Sequence, residues 1–216
     1  MNNMRYAISD IHGCPKTFQH LLRQIDFGKQ DELFLLGDYI DRGPDSGGVV
    51  EYIWELQREG YTVRCLLGNH EEILLDALGQ GKNGWGYKPP DRLYDRLYTW
   101  IKGLPRYFEI DGYVLVHAGL NFNRPNPLQD TEALVWIRGW YDTVLTEWAQ
   151  QWLRGRIIVH GHTPESVLSV RRGIEQMVRE QRVCIDSGCA MRAFGMQHLT
   201  ALNLDTRVGV DVHRID

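Results

Sequence analysis

Disulfide chemistry, membrane insertion and a basic surface are all thinly supplied in this 216-residue sequence. Its four cysteines, Cys14, Cys65, Cys184 and Cys189, show no Cys-x-x-Cys spacing. Cys65 and Cys184 sit in apolar runs and read as buried thiols rather than redox groups. No apolar run approaches the ~18 residues of a membrane span. Residues Met1 to Ser9 lack the basic-then-apolar layout of an export signal, so the cytoplasm is the expected compartment. Lysine and arginine number 24 against 28 acidic residues, a net charge of −4. That balance excludes a dedicated nucleic-acid or membrane-surface binder and leaves an anionic substrate only through a local cationic site. Internal repeats and low-complexity tracts are missing too.

What is present is the composition of a folded protein: 43% hydrophobic residues, 24% charged residues and 23 aromatics. A chain of this length buries roughly 70–75% of its unfolded surface and is expected to form one domain over residues 1–216. Short apolar runs read as buried strands at Arg5–Ser9, Glu32–Leu36, Thr62–Leu67, Tyr113–Val116, Arg156–Val159 and Arg182–Ile185. Leu199–Leu204 and Arg207–His213 flank Asp205-Thr206 as a hairpin. Helices are expected at Pro15–Ile25, Gly47–Glu59, Glu71–Leu78, Asp91–Lys102 and Tyr141–Leu153. Strand, loop and helix in repeated order predict an α/β fold with a mixed sheet. Val170–Gln181 is charged and weakly patterned and reads as a surface excursion. Gly79–Pro90, with Trp85 and Tyr87, reads either as a mobile connection or as a lip over a site.

Most strand runs end in polar clusters. In an open α/β sheet, ligands gather at those carboxyl ends. Here the ends hold Asp10, His12, Asp38, Asn69, His70, His117, His160 and His162. Carboxylate oxygens with imidazole nitrogens suit manganese, iron or zinc, whereas an all-oxygen set would suit calcium or magnesium. In Asp10-x-His12, alternate residues of an extended segment face one way. The donors exceed what one ion with an open position needs, so two ions are expected, with Asp38 the candidate bridge. Two ions about 3.5–4 Å apart suit in-line displacement at phosphorus, and Arg42, four residues after Asp38, offers a planar fork to phosphate. His160, two residues before His162, reads as a neighbour of the ligands rather than one of them.

The ordered clusters Asp10-Ile11-His12-Gly13, Gly37-Asp38-Tyr39-Ile40-Asp41-Arg42-Gly43, Gly68-Asn69-His70-Glu71, His117-Ala118-Gly119 and Gly161-His162-Thr163-Pro164 resemble those of the metal-dependent phosphoprotein phosphatases. That family belongs to the calcineurin-like metallophosphoesterases, and the likeness is to its compact bacterial and phage type. Ile185-Asp186-Ser187-Gly188 extends it towards the C-terminus. The resemblance implies a β-sandwich of mixed sheets flanked by helices, with the metals at strand ends. It implies that Asp10, His12 and Asp38 hold one ion, and that Asp38, Asn69, His117 and His162 hold the other. Manganese would be the first choice of metal, with iron or zinc as alternatives. His70 would be the general acid, held by Asp41. Arg42 would bind phosphate, and Arg138, from Trp136-Ile137-Arg138, is the candidate second phosphate ligand. Ser9 departs from the family's usual glycine and is small enough to be tolerated.

The activity expected from the resemblance is phosphomonoester hydrolysis by a monomeric serine/threonine protein phosphatase, tyrosine included, on a phosphoprotein or phosphopeptide. No nucleic-acid or membrane partner is expected. The alternative is a bis(5'-nucleosyl)-tetraphosphate hydrolase. Such enzymes tend to be longer and to read Gly-Asn-His-Asp, whereas this chain reads Gly-Asn-His-Glu with an aspartate inside Gly-Asp-x-x-Asp-Arg-Gly. A third reading, a binding scaffold without catalysis, fits poorly with a full ligand set.

Overall fold

A computed structural model of the chain describes residues 3–80, 88–142 and 146–216. Trp85 and Tyr87 of the Gly79–Pro90 segment therefore lie outside the described residues. In chain order the first half holds β1 (Arg5–Ile8), α1 (Pro15–Gln24), β2 (Glu32–Leu35), α2 (Ser46–Arg58), β3 (Thr62–Cys65), α3 (Asn69–Gly79) and α4 (Asp91–Lys102). The second holds β4 (Tyr107–Ile110), β5 (Tyr113–Val116), α5 (Ala133–Trp136), α6 (Glu147–Trp152), β6 (Ile157–His160), α7 (Val167–Glu180), β7 (Arg182–Cys184), β8 (His198–Asn203) and β9 (Gly209–His213).

Two mixed sheets result. The first runs β3-β2-β1-β8-β9, with β1, β2 and β3 parallel and the β8–β9 hairpin antiparallel. The second runs β4-β5-β6-β7, parallel except for β4. Ala7, Phe34 and Leu36 of the first sheet meet Leu115, Val159 and Val183 of the second in a core between the sheets. The outer face of the first sheet packs on the apolar sides of α1, α2, α3 and α4, through Phe18, Ile53, Leu74 and Leu97. The outer face of the second carries Leu134, Val135 and Leu153 from α5 and its surroundings. Both faces of β1, β2, β5 and β6 are thus covered, which is why those strands read as unbroken apolar runs. The expected α/β architecture of mixed sheets flanked by helices is the one found.

Two local expectations are corrected, and one strand is added. Val170–Gln181 is no surface excursion: Ser166 caps α7 by accepting from the Ser169 amide, and Val167, Val170, Ile174 and Met177 bury one face. Within the expected Tyr141–Leu153 helix, the regular α-helix is α6, beginning after the Thr146 cap. Strand β4 went unforeseen because it is a half-exposed edge strand with no apolar run. Among the described residues no helix is long and apolar enough to cross a membrane.

Candidate active site

The loops after β1, β2, β3, β5 and β6 converge where the two sheets meet. The Asp10 amide donates to the Gly37 carbonyl and the His12 amide to that of Asp38, which ties the first loop to the second. Gly37 has φ +99°, and a Cβ there would lie 2.6 Å from the Gly68 Cα and 2.9 Å from the His117 ring. Only glycine lets these three loops approach so closely. Asp10, His12, Asp38, Asp41, Arg42 and His162 all hold left-handed backbone conformations, with φ between 45° and 67°.

Buried side chains then point their acceptors at one another. His12 donates Nδ1–H to the Ile40 carbonyl at 2.8 Å. Its Nε2 lone pair therefore faces Asp38 Oδ2 at 3.3 Å and Asp10 Oδ1 at 3.9 Å. His117 likewise donates Nδ1–H to the Leu36 carbonyl at 2.8 Å. Its Nε2 then faces Asn69 Oδ1 at 3.0 Å and Asp38 Oδ1 at 3.5 Å. His162 Nδ1 lies 2.9 Å from the same Asn69 oxygen, while its Nε2 is buried without a hydrogen-bond partner. Lone pairs turned on carboxylate and amide oxygens repel unless a cation lies among them. Separations near 3 Å are those of neighbouring donors about 2.1 Å from a common ion. Two overlapping groups meet this description, His12–Asp38–His70 and Asp38–His117–His162, and they share Asp38. The first contains His70 where the resemblance implies Asp10.

The electrostatics agree with this geometry. Burial works against an ionised Asp38, but His117, His12 and His70 outweigh it and hold the carboxyl at about 2. Burial, helped by His117 and Arg138, pushes His162 down to about 3, and burial lowers His12 against the pull of Asp38 and Asp10. Both imidazoles thus stay neutral and free to ligate. His70 differs. Its Nδ1 pairs with Asp41 Oδ2 at 2.6 Å, and although burial opposes it, Asp41 followed by Asp38 raises its pKa. Its Nε2 lies 3.4 Å from Arg42 Nη2. Arg138 donates to the His162 carbonyl at 3.1 Å, and both arginines line the cleft over the cluster.

Ser9 is not merely tolerated. Its hydroxyl donates to Asp10 Oδ2, which also accepts the His162 amide at 3.0 Å. Asp10 is thereby steered to present Oδ1 to His12. His160 turns away: its ring packs on Trp140 and Tyr141, and burial lowers it to about 4. Cys14 is fully buried, its thiol directed at the His12 carbonyl, so it offers no exposed nucleophile. One cleft residue, read in the sequence only as part of a resembling segment, is given no role there. Asp186, 3% exposed, lines the cleft, and burial together with Asp10 raises its carboxyl well above the usual range. Its position at the end of a strand run was the signal that could have found it.

Imidazoles, carboxylates and an amide gathered at strand ends beneath two arginines fit a metal-dependent phosphoesterase. The chain belongs to the calcineurin-like phosphoesterase family, whose sequence profile matches residues 6–198, and the family implies a dinuclear divalent site. The symmetrical bis(5'-nucleosyl)-tetraphosphatase of Nitrosococcus oceani is 40% identical over 53% of this chain and 43% of that protein. Its counterpart in Chromobacterium violaceum is 38% identical over the same shares. The match thus spans less than half the length of these relatives. A solved structure provisionally named a diadenosine tetraphosphatase superposes with TM-score 0.67 and 25% identity, over 97% of this chain and 93% of that one. A serine/threonine phosphatase from Saccharomyces cerevisiae superposes with TM-score 0.72 over 99% of this chain and 81% of its own, but at 16% identity the likeness is of fold alone.

These relatives overturn the expectation of a protein phosphatase acting on a phosphoprotein or phosphopeptide. The reason lies in what the discriminating residues do. Glu71 is fully buried, and its carboxylate accepts the amides of Asp38, Tyr39, Ile40 and Gly68. It shapes the Asp38 loop from behind and does not line the cleft. Asp41 orients His70. The carboxylates of both residues are thus committed to partners within the protein.

Proposed function

We propose that this chain hydrolyses bis(5'-nucleosyl) tetraphosphates, with diadenosine tetraphosphate as the reference substrate, at the central anhydride to give two nucleoside diphosphates. Agreement between the sequence relatives and a structural neighbour that covers nearly the whole chain carries the reading. In this proposal Asp10, His12 and Asp38 hold one divalent ion, and Asp38, Asn69, His117 and His162 hold the other, with manganese the first choice. Bound there, the ions supply Lewis acidity and a water nucleophile. Arg42 and Arg138 hold nonbridging phosphate oxygens through charge-assisted bonds. Asp41 keeps the His70 imidazole turned, so that Nε2 can deliver its proton to the departing oxygen. Asn69 and His70 open α3, whose free amides and dipole favour negative charge at this end.

The test is hydrolysis of diadenosine tetraphosphate in manganese buffer made with 18O-water, with chromatography and mass spectrometry of the products. ADP should be the sole nucleotide product, and half of it should carry one heavy oxygen on its terminal phosphate. Formation of ATP with AMP, or no turnover, would overturn the reading.

A further inference from the structure

We propose that Trp136 is the platform on which a nucleobase of the substrate stacks, and that Glu72 is the positioning residue that braces it. The proposal rests on the dinucleotide reading above and says which part of the protein recognises the nucleoside.

Trp136 leaves 38% of its surface open, a large apolar area for one residue at the mouth of a phosphate cleft. The ring is not loose. Its Nε1–H donates to Glu72 Oε2 at 2.5 Å, and the other oxygen of that carboxylate accepts from Arg106 Nη2 at 2.7 Å. The polar edge of the indole is therefore committed to the protein, and what it offers a ligand is its ring face. Ring and brace are ordered in advance, which lowers the entropy cost of binding.

The surroundings fit a nucleoside joined to phosphates. Trp136 lines a cavity of about 710 Å³ with Ile73, Met191 and three arginines, Arg42, Arg138 and Arg192. Among the described residues that line it, the one carboxylate, Asp41, is taken up by His70. A cavity of this size suits a drug-sized ligand, and its apolar wall beside cationic groups matches a base on a polyphosphate. It shares Arg42, Asn69, Arg138 and Met191 with the narrow cleft over the metal cluster, so base and phosphates can be held at once. Ile137, with φ −63° and ψ 140°, is extended between Trp136 and Arg138, which lets these two face the same side. Stacking tolerates any base, so the guanosine dinucleotide should be accepted as well as the adenosine one.

The experiment measures binding of ADP and of pyrophosphate to the manganese-loaded protein by calorimetry, in parallel with hydrolysis of diadenosine tetraphosphate. Trp136→Ala should weaken ADP about tenfold or more and shift pyrophosphate by less than threefold. Trp136→Phe should retain most of the ADP affinity. Glu72→Ala should weaken ADP selectively and by less than Trp136→Ala. Phe194 is fully exposed on the same loop as Met191 but does not line the cavity, so Phe194→Ala should leave both ligands unchanged. Equal weakening of ADP and pyrophosphate by Trp136→Ala, or an ADP loss at Phe194 as large as at Trp136, would overturn the platform. Failure of the wild type to cleave the dinucleotide would overturn the proposed function instead, and the ADP–pyrophosphate difference would still report on Trp136.

Discussion

The floor of the cleft and its wall are built by opposite rules. On the floor, Asp10, His12, Asp38, Asn69, His117 and His162 are 0–6% exposed. Backbone carbonyls fix His12 and His117, while neighbouring donors hold one oxygen of Asp10 and one of Asp38. The wall, made of Trp136, Arg138, Arg42 and Arg192, is open to solvent. In the proposed function the floor serves the attack at phosphorus, a step common to many phosphoryl substrates, and the wall meets whatever the phosphate is attached to. A substrate class read from floor motifs alone can therefore be wrong while the family is right, and here that is what happened.

The most severe way to test this division is Asp38→Asn. The change removes the carboxylate common to both ligand groups and should lower turnover on the order of a thousandfold or more, because several kcal/mol of charge stabilisation depend on the ions. Metal content by atomic emission should fall from two ions per chain to one or none. Retention of both ions would show that the floor does not depend on a bridge.

A smaller effect, dependent on the leaving group, is expected at His70. General-acid help is worth about 100- to 10,000-fold. A nucleoside diphosphate leaves more readily than an alkoxide, so His70→Asn should cost less on diadenosine tetraphosphate than on an alkyl phosphomonoester measured side by side. An equal loss on both would take His70 out of the acid role and return it to the ligand group it shares with His12 and Asp38.

The smallest effect concerns His160, which is as buried as the floor but faces away from it. Its folded pKa of about 4 lies below the ordinary 6.5 because of burial. As pH falls through 6.5 the unfolded chain takes up a proton that the native chain refuses, so stability is lost until the native histidine itself protonates near pH 4. Between pH 6.5 and 5 this contributes about 2 kcal/mol. Urea unfolding at the two pH values should show a drop smaller by about that amount in His160→Phe than in the wild type, with metal content unchanged. Loss of metal would mean that the floor extends further than its ligands.

How much was legible in the sequence follows the same division. The covered parallel strands and the loops after them could be read because double-sided burial writes continuous apolar runs, and the tight loops need particular small and polar residues. Helix α7 escaped because Leu168 and Val178 are exposed, at 67% and 55%, and blur a stripe that only four residues carry. The brace on Trp136 escaped for another reason. It depends on Glu72, 64 residues away, and on Arg106, and no local pattern joins the three.

The left-handed backbone at six cleft residues has a consequence for inheritance. Such a conformation costs on the order of 1 kcal/mol at a residue like Arg42 and less at aspartate, whose short polar side chain tolerates it, so the six together draw on the small net stability of an ordinary domain. A lineage that no longer needed the chemistry would gain stability by letting these positions drift to glycine. The loops would be equally poor candidates for grafting onto a foreign scaffold. Their conformation is held by tight contacts such as those of Gly37 and by the two sheets beneath them, and the motif cannot be inherited or transplanted without that frame.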